Sequence, residues 1–128
     1  MFLYVSWTDS LHIHRMNKPY NFIVDFPKTL HLEGQWEVAL MDIIIKSSKK
    51  SSFYLLADFC EESLLKGSQR TILRRVDNKN SHYSFPYYGK ITKLDIQSIR
   101  VIALDQNLDF FQLTDIECIL HLRKVNGD

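Results

Sequence analysis

The sequence predicts an all-β domain, built as an antiparallel sandwich or barrel of about eight strands. Apolar and polar residues alternate with period two along much of the chain, short apolar runs are separated by polar turn sequences, and almost no segment has a helical period. The 128 residues, of which 45% are hydrophobic and 12% aromatic, are enough for one packed core. No repeat or linker divides the chain, so we predict a single domain over residues 1–128.

The first predicted strand covers residues 2–7, and a polar loop follows it. A second run alternates between two faces, with three apolar residues on one of them: Phe22, Val24 and Phe26. Pro27 is expected to end this run, because proline cannot donate a hydrogen bond to a neighbouring strand. A shorter apolar pair then leads to a turn at Gly34.

Residues 36–45 would also suit a helix, but their apolar residues favour a strand with both faces partly buried. Trp36 follows closely after the turn, where its ring is expected to anchor one sheet against the other. The predicted core therefore combines this strand with its neighbour and with the last strand of the chain. Its members are Phe22, Val24, Trp36, Val38, Leu40, Ile116 and Leu120.

The middle of the chain predicts two further strands, at residues 52–58 and 70–76. Between them, acidic residues come early and a lysine late, with Gly67 after the end, which predicts a short helical turn. Residues 77–80 are a strong turn signal. Residues 82–88 are aromatic but contain a proline, so they fit an edge strand or an extended loop.

The last third has the clearest alternation. Residues 99–104 predict a strand that ends in a turn at residues 105–107. In the final strand the apolar residues on one face are Ile116, Cys118, Leu120 and Leu122. The opposite face is mostly polar, as is typical of a half-exposed antiparallel strand.

Charge and cysteine content indicate an ordinary folded domain. The formal net charge is +1, so no overall field favours a nucleic acid, a membrane or an acidic substrate as partner. Cys60 and Cys118 predict two buried reduced thiols, with a disulfide as the alternative if adjacent strands carry them. The apolar run at residues 1–5 is too short for a signal peptide or a membrane span, so we expect a soluble protein made in a reducing compartment.

No local catalytic motif is present: the chain contains no G-x-S-x-G, H-E-x-x-H, P-loop or G-x-G-x-x-G. Glu61 and Glu62 are interpreted as solvated turn acids rather than as a hydrolytic pair. His12 and His14 would face the same way on an extended segment, so a metal site and a pair of solvated loop histidines are both open. We predict no enzymatic activity, no catalytic residue, no cofactor and no metal.

Basic residues form two groups that would suit contacts with phosphates, while neighbouring aromatic rings would suit base stacking. The groups are Lys46, Lys49 and Lys50, and Arg70, Arg74 and Arg75. The competing interpretation is that the lysines solubilise a loop and the rings fill a core or a subunit contact. A small binding module that contacts nucleic acid or another protein is therefore the alternative function.

The aromatic excess favours self-association, because tyrosine, tryptophan and phenylalanine are enriched at protein contacts. A small sandwich is not expected to bury all of these rings. The predicted subunit interface consists of Tyr83, Phe85, Tyr87, Tyr88, Phe110 and Phe111.

The segment FIVDFPKTLHLEGQWEVALMDI resembles the N-terminal half of the single-jelly-roll penton, or minor capsid, proteins of Polinton (Maverick) elements, adintoviruses and related double-stranded DNA viruses. The phrases SFYLLADF, TILRRV, DIQSIRVIALDQN and IECILHLR resemble later family phrases in the same order. The matching positions of the first segment are Phe22, Val24, Pro27, Leu32, Gly34, Trp36, Glu37, Val38 and Leu40.

The resemblance implies an eight-stranded antiparallel jelly-roll β-sandwich that forms homopentamers at the five-fold vertices of an icosahedral capsid. It also implies the double-jelly-roll major capsid protein as partner and the virion as location. Two departures from the family pattern stand out. Ala39 occupies a position where glycine is usual, and residues 46–50 replace a proline and an aromatic residue.

Overall fold

The computed structural model describes residues 1–77 and 80–125 and confirms the prediction of an all-β protein. Within those ranges no helix is long and apolar enough to cross a membrane. The strands are β1 Phe2–Ser6, β2 Asn21–His31, β3 Trp36–Lys46, β4 Phe53–Ala57, β5 Ser63–Leu65, β6 Ser68–Arg70, β7 Ile72–Val76, β8 Asn80–His82, β9 Gly89–Lys90, β10 Asp95–Leu104 and β11 Asp115–Lys124.

The strands form two main antiparallel sheets that enclose one core, which makes the fold sandwich-like. The first sheet has the order β1-β11-β3-β8, and β9 also pairs with β3. The second sheet has the order β2-β10-β4-β7. Strands β5 and β6 form a separate hairpin. Inward side chains of both main sheets belong to a single hydrophobic cluster, as expected when two sheets pack face to face.

Six of the seven residues assigned to the core from the sequence are buried in this cluster: Phe22, Val24, Val38, Leu40, Ile116 and Leu120. Trp36 is the exception, because its side chain is only half-buried and packs against the core from the margin. Its indole Nε1 donates a hydrogen bond to the carbonyl oxygen of Glu33, 2.9 Å away. This bond holds the ring at the turn, since a tryptophan N–H needs an acceptor.

The mixed hydrophobic pattern of β3 is explained by a β-bulge. Leu120 of β11 pairs with Leu40, whereas the preceding Ile119 pairs with Asp42, so Met41 is the extra residue. The bulge shifts the alternation by one position, because successive strand residues point to opposite faces. Val38 and Leu40 point inward before the bulge, and the isoleucines at positions 43 and 45 point inward after it.

The prediction that Pro27 ends a strand is wrong, since β2 continues through it to His31. Strand β2 lies at the edge of the second sheet, where only one side needs hydrogen-bond donors. In addition, the β2–β10 register shifts between Ile96 and Ser98, which pair with positions on either side of Pro27. An edge position beside an irregularity is where a strand tolerates proline.

The predicted helical turn before Gly67 is also wrong. The chain forms the β5–β6 hairpin there, and its two turn residues are Lys66 with φ 48° and Gly67 with φ 84°. Two consecutive residues of positive φ characterise the turn that matches the twist of a two-residue hairpin. Glu61 and Glu62, which were interpreted as charges at the start of a helix, instead precede the hairpin. Lys66, which was interpreted as a charge at the end of a helix, is a turn residue.

The remaining loops are close to their sequence-based assignments. Residues 83–88 form an extended loop between two short edge strands, and the predicted turn at 77–80 includes two positions outside the described residues. At the turn after β10, Asp105 Oδ1 accepts hydrogen bonds from the backbone N–H groups of Asn107 and Asp109. Cys60 and Cys118 are both buried and both free.

Candidate interaction surface

Residues 83–88 cross the open edge of the sandwich and are held at both ends. Strands β8 and β9 both pair with β3, so the chain leaves the first sheet after His82 and returns at Gly89. The backbone N–H of Tyr83 donates to the carbonyl oxygen of Met41, the bulged residue, at 2.9 Å. The loop therefore leaves the edge where the bulge interrupts the regular ladder, and Tyr83 and Tyr87 contact a residue of the second sheet.

Arg74 connects this loop to the second sheet. It lies on β7, the edge strand of that sheet, and its guanidinium carbon is 3.5 Å from the ring centroid of Tyr83 and 4.4 Å from that of Tyr87. Each such cation–π contact contributes about 0.5–2 kcal/mol, depending on desolvation. The Nε and Nη1 atoms of Arg74 are buried and have no hydrogen-bond partner among the described residues. Packing against aromatic rings is therefore the main interaction of this guanidinium.

Two rings of the loop face solvent. Phe85 is 88% exposed and Tyr87 is 72% exposed, while Tyr83 and Tyr88 are half-buried. Large apolar groups at this exposure gain nothing from the core of their own chain. Several exposed rings side by side are typical of a surface that another molecule covers.

Tyr88 extends the same surface onto the outer face of the first sheet. Its hydroxyl lies 2.7 Å from Nδ1 of His121, and its ring lies 3.4 Å from the guanidinium carbon of Arg123. The ring of Phe2 packs on His121 with a centroid separation of 4.6 Å. Desolvation, the N-terminal amine and Arg123 together lower the pKa of His121. Its imidazole is therefore neutral near pH 7 and able to share one hydrogen bond with the tyrosine.

We call this set the aromatic–arginine surface: Phe2, Arg74, Tyr83, Phe85, Tyr87, Tyr88, His121 and Arg123. Tyrosine and arginine are the residue types that most often dominate binding energy at protein contacts. The stacking of Arg74 and Arg123 on tyrosines orders the side chains in advance, which reduces the entropy lost on association. Chemically, the arrangement suits protein contact rather than proton or group transfer.

The structure brings together four of the six residues that the sequence assigned to an interface, namely those of the loop. Phe110 lies elsewhere, 44% exposed and with its ring centroid 5.2 Å from that of Tyr20. The assignment of Phe111 to an interface is wrong, because it is 1% exposed and stacks on Phe53 at 4.6 Å. Its backbone N–H donates to the carbonyl oxygen of Ala103, which turns the side chain into the core.

Sequence reasoning missed three members of the surface, Phe2, His121 and Arg123, and assigned Arg74 to a group that would contact phosphates. For Phe2 a signal existed, since period two in β1 places Phe2 and Tyr4 on the face opposite the buried Val5. The local sequence does not distinguish Arg74 from Arg75. Tyrosines lie beside Arg74 because the loop crosses the edge of the sandwich, which depends on the fold.

His12 and His14 do not face the same way on an extended segment, which is the arrangement that a metal site would have required. The β1–β2 connection consists of turns, so His12 and His14 are not on an extended segment. His14 Nε2 lies 2.9 Å from Asp25 Oδ2, and His12 is exposed. Across residues 1–77 and 80–125 no group of histidine, cysteine and acidic side chains could hold a metal ion. Glu61 and Glu62 are exposed on the β4–β5 connection.

The basic clusters do not converge on the loop tyrosines. Arg75 pairs with Asp77 at 3.3 Å, and Arg70 Nε donates to the hydroxyl of Ser68. Of these two basic groups, Arg74 is the member whose guanidinium contacts loop rings among the described residues, namely those of Tyr83 and Tyr87. The lysines at 46, 49 and 50 are exposed at the end of β3 and in the loop that follows it. In the described part of the chain, Arg74 is thus the one member of the two basic groups found beside the rings that base stacking would use.

No family model matches the chain, and no curated protein matches it. The chemistry of the exposed surfaces and the pairing of the strands are therefore the basis for inferring a function.

Proposed function

We propose that this chain is a non-enzymatic structural protein, a single jelly-roll subunit that assembles into homopentamers. In this proposal the pentamers occupy the five-fold vertices of an icosahedral virion, surrounded by a double-jelly-roll major capsid protein. The sequence resemblance to penton proteins suggested this role. Two independent observations support it: the strand pairing supports the jelly roll, and the chemistry of the exposed surface supports the assembly.

The strand pairing supports the jelly roll. If the β5–β6 hairpin is an insertion, and β8 and β9 are one interrupted edge strand, eight strands remain. The first then pairs with the last, the second with the seventh, the third with the sixth and the fourth with the fifth. This nested order results when a long antiparallel ribbon folds back on itself, which is how two Greek keys form a jelly roll.

The observation that carries the assembly proposal is the exposure of Phe85 and Tyr87 on an ordered loop. The loop is tied to β3 by backbone hydrogen bonds and to β7 by the contacts of Arg74 with Tyr83 and Tyr87, so the segment that carries Phe85 is anchored on both sides. Ordered, exposed aromatic rings with a neighbouring arginine have the composition of an interface hot spot. A closed ring of five requires a rotation of about 72° between neighbours and a different surface on each side of the contact.

The thiols are compatible with a reducing compartment. Burial, with a smaller contribution from nearby carboxylates, raises the pKa of both Cys60 and Cys118 to about 12. Both are therefore protonated and shielded near neutral pH, in the state of structural rather than reactive cysteines.

The test is a double substitution, Phe85→Ala with Tyr87→Ala, compared with Leu64→Ala. Leu64 is a matched control because it is 74% exposed but lies on the β5–β6 hairpin, away from the aromatic–arginine surface. Loss of a hot spot costs about 2 kcal/mol or more, equivalent to a roughly 30-fold weaker association. Sedimentation equilibrium over a dilution series measures this change.

We expect the double variant to dissociate at a concentration at least about tenfold higher than the unchanged chain, which corresponds to about 1.4 kcal/mol. The Leu64→Ala variant should assemble normally. Circular dichroism should be the same for all three proteins, since the substituted side chains are exposed. Equal assembly of the double variant and the control would remove this surface from the proposal.

A further inference from the structure

A second exposed apolar surface lies on the outer face of the first sheet, beside the aromatic–arginine surface, since Tyr4 and Ile119 are two residues along their strands from Phe2 and His121. It is a groove of about 290 Å³ between β1, β11 and β3. Its apolar lining comes from Tyr4, which is 73% exposed, Ile44, which is 51% exposed, and the half-buried Ile119. These residues face outward on three adjacent strands, where the described residues cover Tyr4 and Ile44 only in part and leave Ile119 half-exposed.

Carboxylates surround this apolar lining. Asp9, Asp42 and Glu117 all border the groove. Asp42 Oδ1 lies 2.7 Å from Nδ1 of His82, whereas Asp9 and Glu117 form no salt bridge within the described part of the chain. After burial, the charges of Asp9 and Glu117 are the causes that raise the pKa of Cys118, so both act on the same point of β11. The groove therefore combines an apolar floor with a negative rim.

The dimensions of the groove favour side chains over a small molecule. Its volume lies at or below the lower end of ligand pockets, which are about 300–1,000 Å³, and it is open to solvent. An aliphatic stem with a cationic head matches both parts, because lysine buries its methylenes on apolar surface while its ammonium group reaches the carboxylates. The complementary occupant is thus a lysine-bearing segment.

The same chain presents such a segment in the loop after β3. Lys49 and Lys50 are exposed and form no salt bridge among the described residues. The loop is held by Ser47, whose hydroxyl donates to the carbonyl oxygen of Gln112 at 2.8 Å and accepts from the N–H of Lys49 at 3.1 Å. Among the described residues these lysines form no salt bridge with Asp9 or Glu117, so the two pairs of charges can meet in an intermolecular contact.

We propose that the groove binds the lysine loop of a second copy of this chain. The contact joins two different surfaces and is therefore heterologous, as a ring requires. It rests on the proposed self-association and adds a second pair of contacting surfaces to the aromatic–arginine surface. It also gives a role to residues 46–50, where the sequence departs from the penton pattern.

A charge-swap experiment tests the contact. One variant carries Asp9→Lys and Glu117→Lys, a second carries Lys49→Glu and Lys50→Glu, and a third carries all four substitutions. A control variant, Glu62→Lys, reverses an exposed acid far from the groove. Native mass spectrometry over a dilution series, with sedimentation equilibrium at low and high salt, measures the assembly of each protein.

Each charge reversal should weaken assembly by about tenfold or more, because like charges then face each other, and the combined variant should recover most of the loss. The unchanged chain should also dissociate more readily at high salt. Thermal melting of the Lys49→Glu, Lys50→Glu variant should match the unchanged chain, since both side chains are exposed. The groove variant also loses the hydrogen bond that Asp9 Oδ2 accepts from the N–H of Ser6, so it should melt slightly lower.

Two other results separate the contact from the proposed function. The groove contact would be overturned if both charge-reversed variants form pentamers as readily as the unchanged chain, or if the combined variant assembles no better than they do. Either result would be compatible with the proposed pentamer. A chain that is monomeric at every concentration, and that does not associate with a double-jelly-roll capsid protein, would overturn the proposed function itself, and the contact with it.

Discussion

At the scale of single residues, Phe110 and Phe111 have opposite environments although they are adjacent in the chain. Phe111 is buried and stacked on Phe53, whereas Phe110 is 44% exposed. Phe111→Ala should lower the free energy of unfolding by about 3–5 kcal/mol, because it leaves a cavity in the core. Phe110→Ala should cost only about 1 kcal/mol, the scale of its ring contact with Tyr20.

Urea unfolding of the two single variants checks this difference. Each is the natural control for the other, since the same side chain is removed at neighbouring positions. Equal losses of stability at the two positions would contradict the burial of Phe111.

The buried thiols predict a loss of stability at high pH. Folding raises the pKa of each thiol from 9.0 to about 12, so the unfolded chain releases these protons first as pH rises. The contribution of Cys60 and Cys118 to stability is complete below pH 9 and decreases as pH rises towards 12. In this range each thiol lowers the free energy of unfolding by up to about 1.4 kcal/mol per pH unit.

The free energy of unfolding between pH 8 and pH 11 should therefore fall less steeply in a Cys60→Ala, Cys118→Ala variant than in the unchanged chain. Comparison of the two slopes cancels the lysines and tyrosines that titrate in the same range. Identical slopes would mean that the thiols are not protected from ionisation.

At the scale of elements, the β5–β6 hairpin depends on the conformation of its turn. Gly67 has φ 84°, and a Cβ added there would meet no atom within 4 Å, so Gly67→Ala tests backbone strain alone. It should cost about 1 kcal/mol. Gly89→Ala is the matched control, since that position is equally open and has no positive φ. Hydrogen exchange should become faster in the hairpin of the first variant only, and unchanged hairpin exchange would contradict the turn assignment.

Strands were predictable where one face is buried and the alternation is regular. The even-numbered apolar residues of β11 predicted its inward face, and Leu120 and Leu122 lie there. In β3 the pattern was ambiguous, because the Met41 bulge changes the phase within the strand. A bulge depends on pairing with another strand, and pairing is not encoded in local periodicity. For the same reason Pro27 was expected to end a strand that the edge position lets continue.

The hairpin shows a different limit of sequence reasoning. Glu61, Glu62, Lys66 and Gly67 follow the charge order of a helix end, which is why a helical turn was expected. Lysine at a position of positive φ is uncommon, so the sequence contained no standard signal for the observed turn. Local charge order was a weaker determinant here than strand pairing between residues 63–65 and 68–70.

At the scale of the whole molecule, the sequence located the loop of the candidate surface but not its partners. The tyrosines of the loop were recognisable as a cluster because they are neighbours in the chain. Arg74 and Arg123 are distant in sequence from one another, and only the folded topology places both against loop tyrosines. The acidic groove was likewise invisible, since Asp9, Asp42 and Glu117 come from three separate segments.

The central claim is that this chain forms a closed ring of five copies. Native mass spectrometry of the purified, unmodified chain over a dilution series tests it most directly. The proposal predicts a dominant species of five times the 15.1 kDa chain mass, without a continuous ladder of larger open assemblies. A chain that remains monomeric at every concentration, and that does not associate with a double-jelly-roll capsid protein, would contradict it.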